Sequence, residues 1–449
     1  MKKNNNMIHF NSKFKLSAEL YEQAKQLFPY GTQLFSRRPE LGAYGQAPIY
    51  FEKMKDAHFW DIDGNEFIDT SMGVGPVILG YAYDKVDNAV KEQINKGVLG
   101  SINNALEIEV AQTIVEMVPS AEMVKFCKSG GEADAIAVRI ARGYTGKEKI
   151  LFCGYHGWHD WYLSANLESG SSLDQHLLPG LNPKGVPEAL SGTCLPFEYN
   201  NLNQLRKLLT DNEGEVACII MEATRFKQPV EGFLEGIREL ANEHNCLLIF
   251  DEVITGFRMA KGGAQEYYGV TPDLSTFAKA IANGYPLAAV VGRRDIMKSQ
   301  DDNFISSTYW SDTSSLAAGL ATLNEIKNEA VIETINSIGN MLISHFNKIA
   351  QKHGINVDVL GHGFDFTINF NYGKDSAIIM TLFIQEMIAR GIYTGGVFYP
   401  SYSHTDEDVE KIKTASNEVF EILKQGIEKN NIDNLLKAPE RQTGFRRLT

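Results

Sequence analysis

Lys279 stands in a run of small and apolar residues, Thr276-Phe277-Ala278-Lys279-Ala280-Ile281-Ala282, closed by Asn283-Gly284. Apolar surroundings favour the neutral amine, and a neutral amine attacks a carbonyl to form a Schiff base. Twenty-eight residues earlier, four apolar residues, Leu247-Leu248-Ile249-Phe250, run straight into Asp251-Glu252. An acid at the end of a buried strand is costly unless it meets a cation or a metal. A third group is Lys128-Ser129-Gly130-Gly131-Glu132, which follows a strand-like run and opens a helical pattern. Backbone amides at a helix start, with glycines allowing close approach, form a phosphate cradle. A fourth is Gly154-Tyr155-His156-Gly157-Trp158-His159-Asp160-Trp161, where Tyr155 offers a flat face for ring stacking.

Taken singly, each group has a plainer reading. Asp251 also fits a solvated strand end, Lys279 a surface lysine, the Ser129 turn a helix with a serine N-cap, and Tyr155 a structural aromatic cluster. His156, His159 and Asp160 are metal-ligand types, but their spacing is not a standard zinc pattern and no second His/Cys cluster completes it. No metal is expected. The Ser129 loop lacks both the Walker spacing and the dinucleotide fingerprint. Gly73-Val74-Gly75-Pro76 with Gly80 fails that fingerprint too, because it follows no clear strand and Pro76 interrupts it. Together the four groups supply a lysine for an aldehyde, an acid for a ring N–H, an aromatic face and a helix start for a phosphate. Pyridoxal 5′-phosphate (PLP) needs that set.

The elements that must position these groups read as an α/β fold. From about Ser71 to Gln300, apolar strand-sized runs alternate with helical segments: Val124–Cys127, Ile150–Cys153, Val216–Met221 and Leu247–Phe250. Runs apolar on both faces indicate a mostly parallel sheet covered by helices, and such sheets carry their sites at the strand carboxyl ends. Before it, residues from about Leu16 to Phe28 read as a helix with Leu16, Leu20, Ala24 and Leu27 on one face. Strand-like runs Ile49–Lys53 and His58–Ile62 follow, and the Asp63-Gly64-Asn65 turn leads into Glu66–Asp69 as a hairpin. After about Ala317 the chain reads as helix, then strand near Phe364–Tyr372, then a helix from about Thr405. The expected division is residues 1–70 as an N-terminal part of a small α+β domain, 71–316 as the large α/β domain, and 317–449 as the C-terminal part of the small domain.

Composition limits the partners. The chain has 449 residues, 43% hydrophobic and 22% charged, with a net charge of −13. That acidic balance disfavours nucleic acid and anionic membrane surfaces. The N-terminal stretch has Lys2 and Lys3 but no apolar core behind them, and no window is long enough to span a membrane. Five scattered cysteines without a Cys-x-x-Cys pair suit reduced thiols, so a cytoplasmic location is expected.

The motifs also carry a resemblance. Trp60–Asn65, Ser129–Ala133, Ala141–Gly146, Tyr155-His156-Gly157, Phe250–Arg258, Thr271-Pro272-Asp273, Lys279 and His404–Asp408 together resemble the class III aminotransferases of PLP fold type I, on the glutamate-1-semialdehyde 2,1-aminomutase-like branch. The likeness runs from about residue 20 to 425. It implies that Lys279 forms the Schiff base and then moves the substrate proton, and that Asp251 keeps the pyridine nitrogen protonated. It further implies that Val253 and Tyr155 pack the two ring faces, with His156 beside them, and that Ser129, Gly130 and Gly131 hold the phosphate. Glu222 matches a glutamate beside the cofactor. Thr308 matches the threonine that reaches a partner subunit's phosphate, which implies a homodimer with shared sites.

The substrate walls depart from the mutase pattern. Gly131 stands where the mutase has threonine, and Leu34–Pro39, Ala223–Lys227 and Tyr393–Pro400 all differ. The expected function is therefore intermolecular transfer of an amino group, in a ping-pong cycle, from a glutamate-like donor to a ketone or aldehyde acceptor. Tyr155–Trp161 and Arg37-Arg38-Pro39 resemble segments of aminotransferases of polysaccharide or secondary-metabolite assembly, which implies an acceptor such as an oxidised sugar or secondary-metabolite intermediate. An intramolecular aminomutase is the alternative, and a non-catalytic scaffold of the same fold is a third reading. Arg37, Arg38 and Arg225 are candidate binders of substrate carboxylate or phosphate, because guanidinium forks pair with those groups bidentately.

Overall fold

The computed structural model describes residues 10–176 and 179–444. Residues 1–9, in which no apolar leader core is expected, lie outside the described residues. The chain forms two compact units, one made of Met1–Val74, Leu79–Ala82 and Thr334–Thr449, the other of Gly75–Ile78 and Tyr83–Glu333.

In the first unit, β1 (Phe51–Lys55), β2 (His58–Asp61) and β3 (Glu66–Asp69) form an antiparallel meander. The expected hairpin turn is held by buried Asp61, whose Oδ1 accepts the amides of Asp63 at 3.1 Å and Asn65 at 2.7 Å. Gly64 supplies the left-handed backbone there, with φ +86°. The helix Lys15–Leu27 forms as expected but buries a different face. Ser17, Tyr21 and Ala24 are inside, whereas Leu16, Leu20 and Leu27 are exposed. The reason is polar anchoring. The Tyr21 hydroxyl donates to Glu40 at 2.9 Å and its ring meets Tyr44 edge-on, while Asp63 accepts the amides of Leu16 and Ser17.

The second unit is built on seven strands: β4 (Met123–Cys127), β5 (Lys149–Cys153), β6 (Cys194–Pro196), β7 (Val216–Met221), β8 (Leu247–Asp251), β9 (Leu274–Phe277) and β10 (Ala288–Gly292). Their order is β4-β10-β9-β8-β7-β5-β6. The pairs from β9 to β6 are all parallel, and β10 is antiparallel to both β9 and β4. Only β10 therefore runs against the rest. Every residue of β7, β8, β9 and β10 is buried, as two-sided coverage by helices requires. The helix Gly130–Thr145 lays Ala133, Ile136, Ala137, Ile140 and Ala141 into this core.

The chain then returns to the first unit. There β11 (Val357–His362) and β12 (Asp365–Phe370) pair antiparallel, and β13 (Ile392–Tyr393) extends β3 in parallel. Last comes β14 (Val397–Phe398), antiparallel to β12. Phe346, Phe366, Phe383, Phe398 and Phe420 fill this core. The final long helix, Asp406–Glu428, starts at a Thr405/Asp408 capping box.

The border between the units lies at Glu333/Thr334 rather than at 316/317. The helix Thr313–Asn328 packs on the helices Asp84–Ile94 and Leu106–Met117 and on the turn Lys279–Ala282, so it belongs with the large sheet. Among the described residues no helix is long and apolar enough to cross a membrane.

Candidate active site

Because β4, β5, β7, β8 and β9 run in one direction, their carboxyl ends open on one edge of the large sheet. That edge carries the chemistry-bearing residues of this unit. Ser129–Gly131 follow β4, Tyr155 and His156 follow β5, Glu222 follows β7, Asp251 ends β8, and Lys279 follows β9.

Ser129 takes the N-cap position of the 16-residue helix Gly130–Thr145 with extended backbone, but its side chain makes no capping hydrogen bond. The serine-capped turn is therefore not what holds this helix start. Its glycines are required by close approach. A Cβ on Gly130 would lie 2.9 Å from both Val253 methyl carbons, and one on Gly131 would lie 3.2 Å from the Gly157 Cα. A Cβ on Gly157 would come within 2.8 Å of the Gly131 Cα, at a backbone φ of +95°. Two backbone segments thus meet at the positive end of a helix dipole, in space that side chains would fill, and a phosphate fits such a cradle.

Asp251 is 4% exposed. Its Oδ1 accepts the Val253 amide at 3.0 Å, and its Oδ2 faces the Nδ1 of His156 at 2.8 Å. These two contacts leave the carboxylate in a setting that suits a ring N–H cation as a further partner. His156 is fully buried beside Phe152, Trp161 and Tyr162. A carboxylate accepts, so the His156 proton is assigned to Nδ1, and among the described residues its Nε2 is buried without a partner.

Sequence reasoning missed Asp134. It lies one turn beyond Gly130, buried, and accepts a hydrogen bond from the Thr276 hydroxyl at 2.7 Å. Its carboxyl lies within 4.8 Å of that of Asp251. Burial first, and then the charge of Asp251, push its pKa well above the usual carboxylate range. Asp134, His156 and Asp251 present side-chain atoms all within 4.8 Å of one another. The available signal is an acid one turn after the cradle glycine, on a helix face otherwise made of alanine, valine and isoleucine.

Lys279 opens a single 3-10 turn, Lys279–Ala282, with φ +48°. Left-handed backbone at a non-glycine residue costs about 1–2 kcal/mol, and such strain concentrates at functional positions. Lys279 is half-buried, while Ala280, Ile281 and Ala282 behind it are inside. Tyr155 keeps part of its ring exposed, and its amide donates to Glu222 Oε2 at 3.0 Å. Arg225 lies 3.8 Å from Glu222 Oε1 and against the Phe226 ring. His159 stacks under Trp158, with its Nδ1 buried and unpartnered, and burial lowers its pKa. Thr308 is exposed, on the 3-10 turn Thr308–Ser311 beside exposed Tyr309.

Arg37 and Arg38 belong to the first unit. Arg37 is exposed, and its charge acts on the hydroxyls of Tyr81 and Tyr393. Arg38 departs from its expected role as a substrate binder. It is 2% exposed, packed over the rings of Tyr30 and Phe35, and faces Glu40 and Gln442.

Comparisons with known proteins show the family and the fold. The family described as Aminotransferase class-III matches residues 42–419. A 3-aminobutyryl-CoA aminotransferase of Cloacimonas acidaminovorans (strain Evry) is 36% identical over 92% of this chain and 99% of its own. A glutamate-1-semialdehyde 2,1-aminomutase of Methanocaldococcus jannaschii is 37% identical over 92% of this chain and 99% of its own. A solved transaminase with PLP bound superposes with a TM-score of 0.83 at 25% identity, over 92% of this chain and 98% of that one. The α/β architecture with its mostly parallel sheet is the type I fold of PLP-dependent enzymes. The chain belongs to the class III aminotransferases, a family that works with pyridoxal phosphate.

Proposed function

We propose that this chain is an intermolecular aminotransferase, taking an amino group from a glutamate-like donor and passing it to a ketone or aldehyde in two half-reactions. The observation that carries this reading is the convergence of Lys279, Asp251 and the Gly130/Gly131 cradle on one sheet edge. Bound PLP supplies an aldehyde that accepts an amine, and a ring that takes up the electrons left when a substrate carbon loses its proton.

The residues divide the remaining work. Lys279 Nζ would hold the cofactor aldehyde, and its amine would accept and return the proton of the substrate carbon. Asp251 keeps the ring nitrogen protonated, and His156 orients Asp251. Val253 and Tyr155 confine the ring, while Ser129, Gly130 and Gly131 hold the phosphate. Glu222 stands beside the cofactor, and Arg225, next to it, is a candidate binder of a substrate carboxylate or phosphate. The exposed position of Thr308 supports a homodimer in which it reaches the partner's phosphate, and five buried free cysteines support a cytoplasmic location.

The name of the Cloacimonas relative supports transfer between two molecules, whereas the Methanocaldococcus relative favours an aminomutase as the second reading. A single experiment separates them. Purified enzyme loaded with PLP is mixed with glutamate and no acceptor, and 2-oxoglutarate is measured. Release of about one equivalent per site supports the proposal. No release with glutamate or any other external donor, together with turnover of an amino-aldehyde alone, establishes the mutase. Absence of a covalent PLP label on Lys279 after borohydride treatment defeats both.

A further inference from the structure

Asp134 and Asp251 are two buried carboxyls that bring oxygen atoms within 4.8 Å of each other, reached from different elements: the helix Gly130–Thr145 and the end of β8. Two carboxylates this close and away from water cannot both be ionised, so one keeps a proton. The hydrogen bonds decide which. Asp251 accepts from the Val253 amide and from His156 Nδ1, two donors that stabilise an anion. Asp134 accepts only one neutral donor, the hydroxyl of Thr276 on β9. Glu222, at the end of β7, adds further negative charge facing Asp134, and Tyr155 lies within its field. The anion therefore settles on Asp251 and the proton on Asp134.

We propose that Asp134 is a positioning residue for the cofactor ring: a carboxylic acid whose O–H donates to Asp251, fixing that carboxylate as an anion aimed at the ring nitrogen. Thr276, Asp134, Asp251 and His156 then form one hydrogen-bonded chain with Asp251 at its working end. Thr276 holds the acceptor oxygen of Asp134 and so leaves the other oxygen to carry the proton. This rests on the reading of Asp251 as the ring-nitrogen partner.

The test compares Asp134→Asn with Asp134→Ala in the full-length protein. Asparagine keeps both contacts, because its amide donates to Asp251 and its carbonyl accepts from Thr276. PLP affinity, measured by equilibrium dialysis, is expected within about threefold of wild type for Asp134→Asn and at least about tenfold weaker for Asp134→Ala. The infrared spectrum at neutral pH is expected to show the C=O stretch of a buried protonated carboxyl in the wild type and to lose it in Asp134→Asn, where a side chain with only a packing role would leave no such difference. Wild-type affinity in Asp134→Ala, or no loss of that band in folded Asp134→Asn, overturns the proposal. Failure of the wild type itself to bind PLP overturns the reading of Asp251 instead.

Discussion

The Nδ1 of His156 lies 2.8 Å from the Oδ2 of Asp251, although the two residues are 95 positions apart in the chain. His156 comes from the loop after β5 and Asp251 from the end of β8, and β7 lies between those strands. The contact exists only because the sheet order brings the two carboxyl ends near each other. It also explains how an acid can be buried at a strand end: a shared proton replaces part of the water that burial removes.

Replacing His156 by phenylalanine keeps the flat ring among Phe152, Trp161 and Tyr162 and removes the donor to Asp251. A hydrogen bond to a charged group contributes about 1.5–3 kcal/mol. PLP binding by His156→Phe should therefore weaken by about tenfold or more, measured by equilibrium dialysis, with the far-ultraviolet circular dichroism unchanged. Wild-type affinity would mean that Asp251 does not depend on this contact.

Gly157→Ala tests the cradle. The added carbon would lie 2.8 Å from the Gly131 Cα, on a residue with φ +95°. Left-handed strain alone costs about 1–2 kcal/mol, and backbone on both sides leaves no flexible group to yield. The variant is expected to melt several degrees lower and to bind PLP more weakly than wild type. Gly146→Ala, at another left-handed glycine with no atom within 4 Å of the added carbon, is the control. It should lose stability without losing cofactor affinity.

Arg225 lies beside Glu222 and against Phe226 on the same edge. If its guanidinium pairs with a donor carboxylate, Arg225→Ala raises KM for glutamate by about tenfold or more, with a smaller change for alanine, which lacks the second carboxylate. Arg225→Lys should recover part of the loss, since it restores charge without the fork. Steady-state kinetics with the two donors distinguish this from a structural role, which would change both alike.

Much of this site can be read along the chain, and the unread part has a common physical cause. Asp251, Lys279 and the Gly130–Gly131 turn are legible because each sits where an apolar run ends, a boundary visible in local composition. The neighbouring acids Asp251 and Glu252 look alike in sequence but point apart. Glu252 is fully buried, accepts the amides of Ala264 and Gln265 and the Thr255 hydroxyl, and so pins the following turn. Asp134 is illegible alone, because its meaning depends on Thr276, 142 residues away. Arg38 fails for a related reason: exposure cannot be read from residue type when aromatic rings and an acid close over a guanidinium. The helix Lys15–Leu27 buries Tyr21 rather than its leucines because specific polar contacts outweigh a narrow apolar stripe.

Within the first unit, His58 joins two carboxylates: its Nδ1 meets Glu66 and its Nε2 meets Asp408, each at 2.9 Å. Both ring nitrogens face acceptors, so the charged imidazolium fits and the neutral ring must leave one contact unmade. The hydrogen bond to Asp408 is the main cause of a raised His58 pKa, and burial partly opposes it. Asp408 shifts the other way. Burial raises its pKa, but His58 and the Thr405 cap outweigh that and hold it well below the usual range. A raised histidine pKa contributes stability that is complete below the unfolded value of about 6.5 and is lost as pH rises through the folded value. A depressed aspartate pKa contributes stability present above about 4 and lost as pH falls toward the folded value. The clip is therefore strongest between about pH 4 and 6.5. Urea melts of wild type and His58→Gln should differ most in that window and converge at alkaline pH, whereas a constant difference at every pH would show that His58 acts through packing alone.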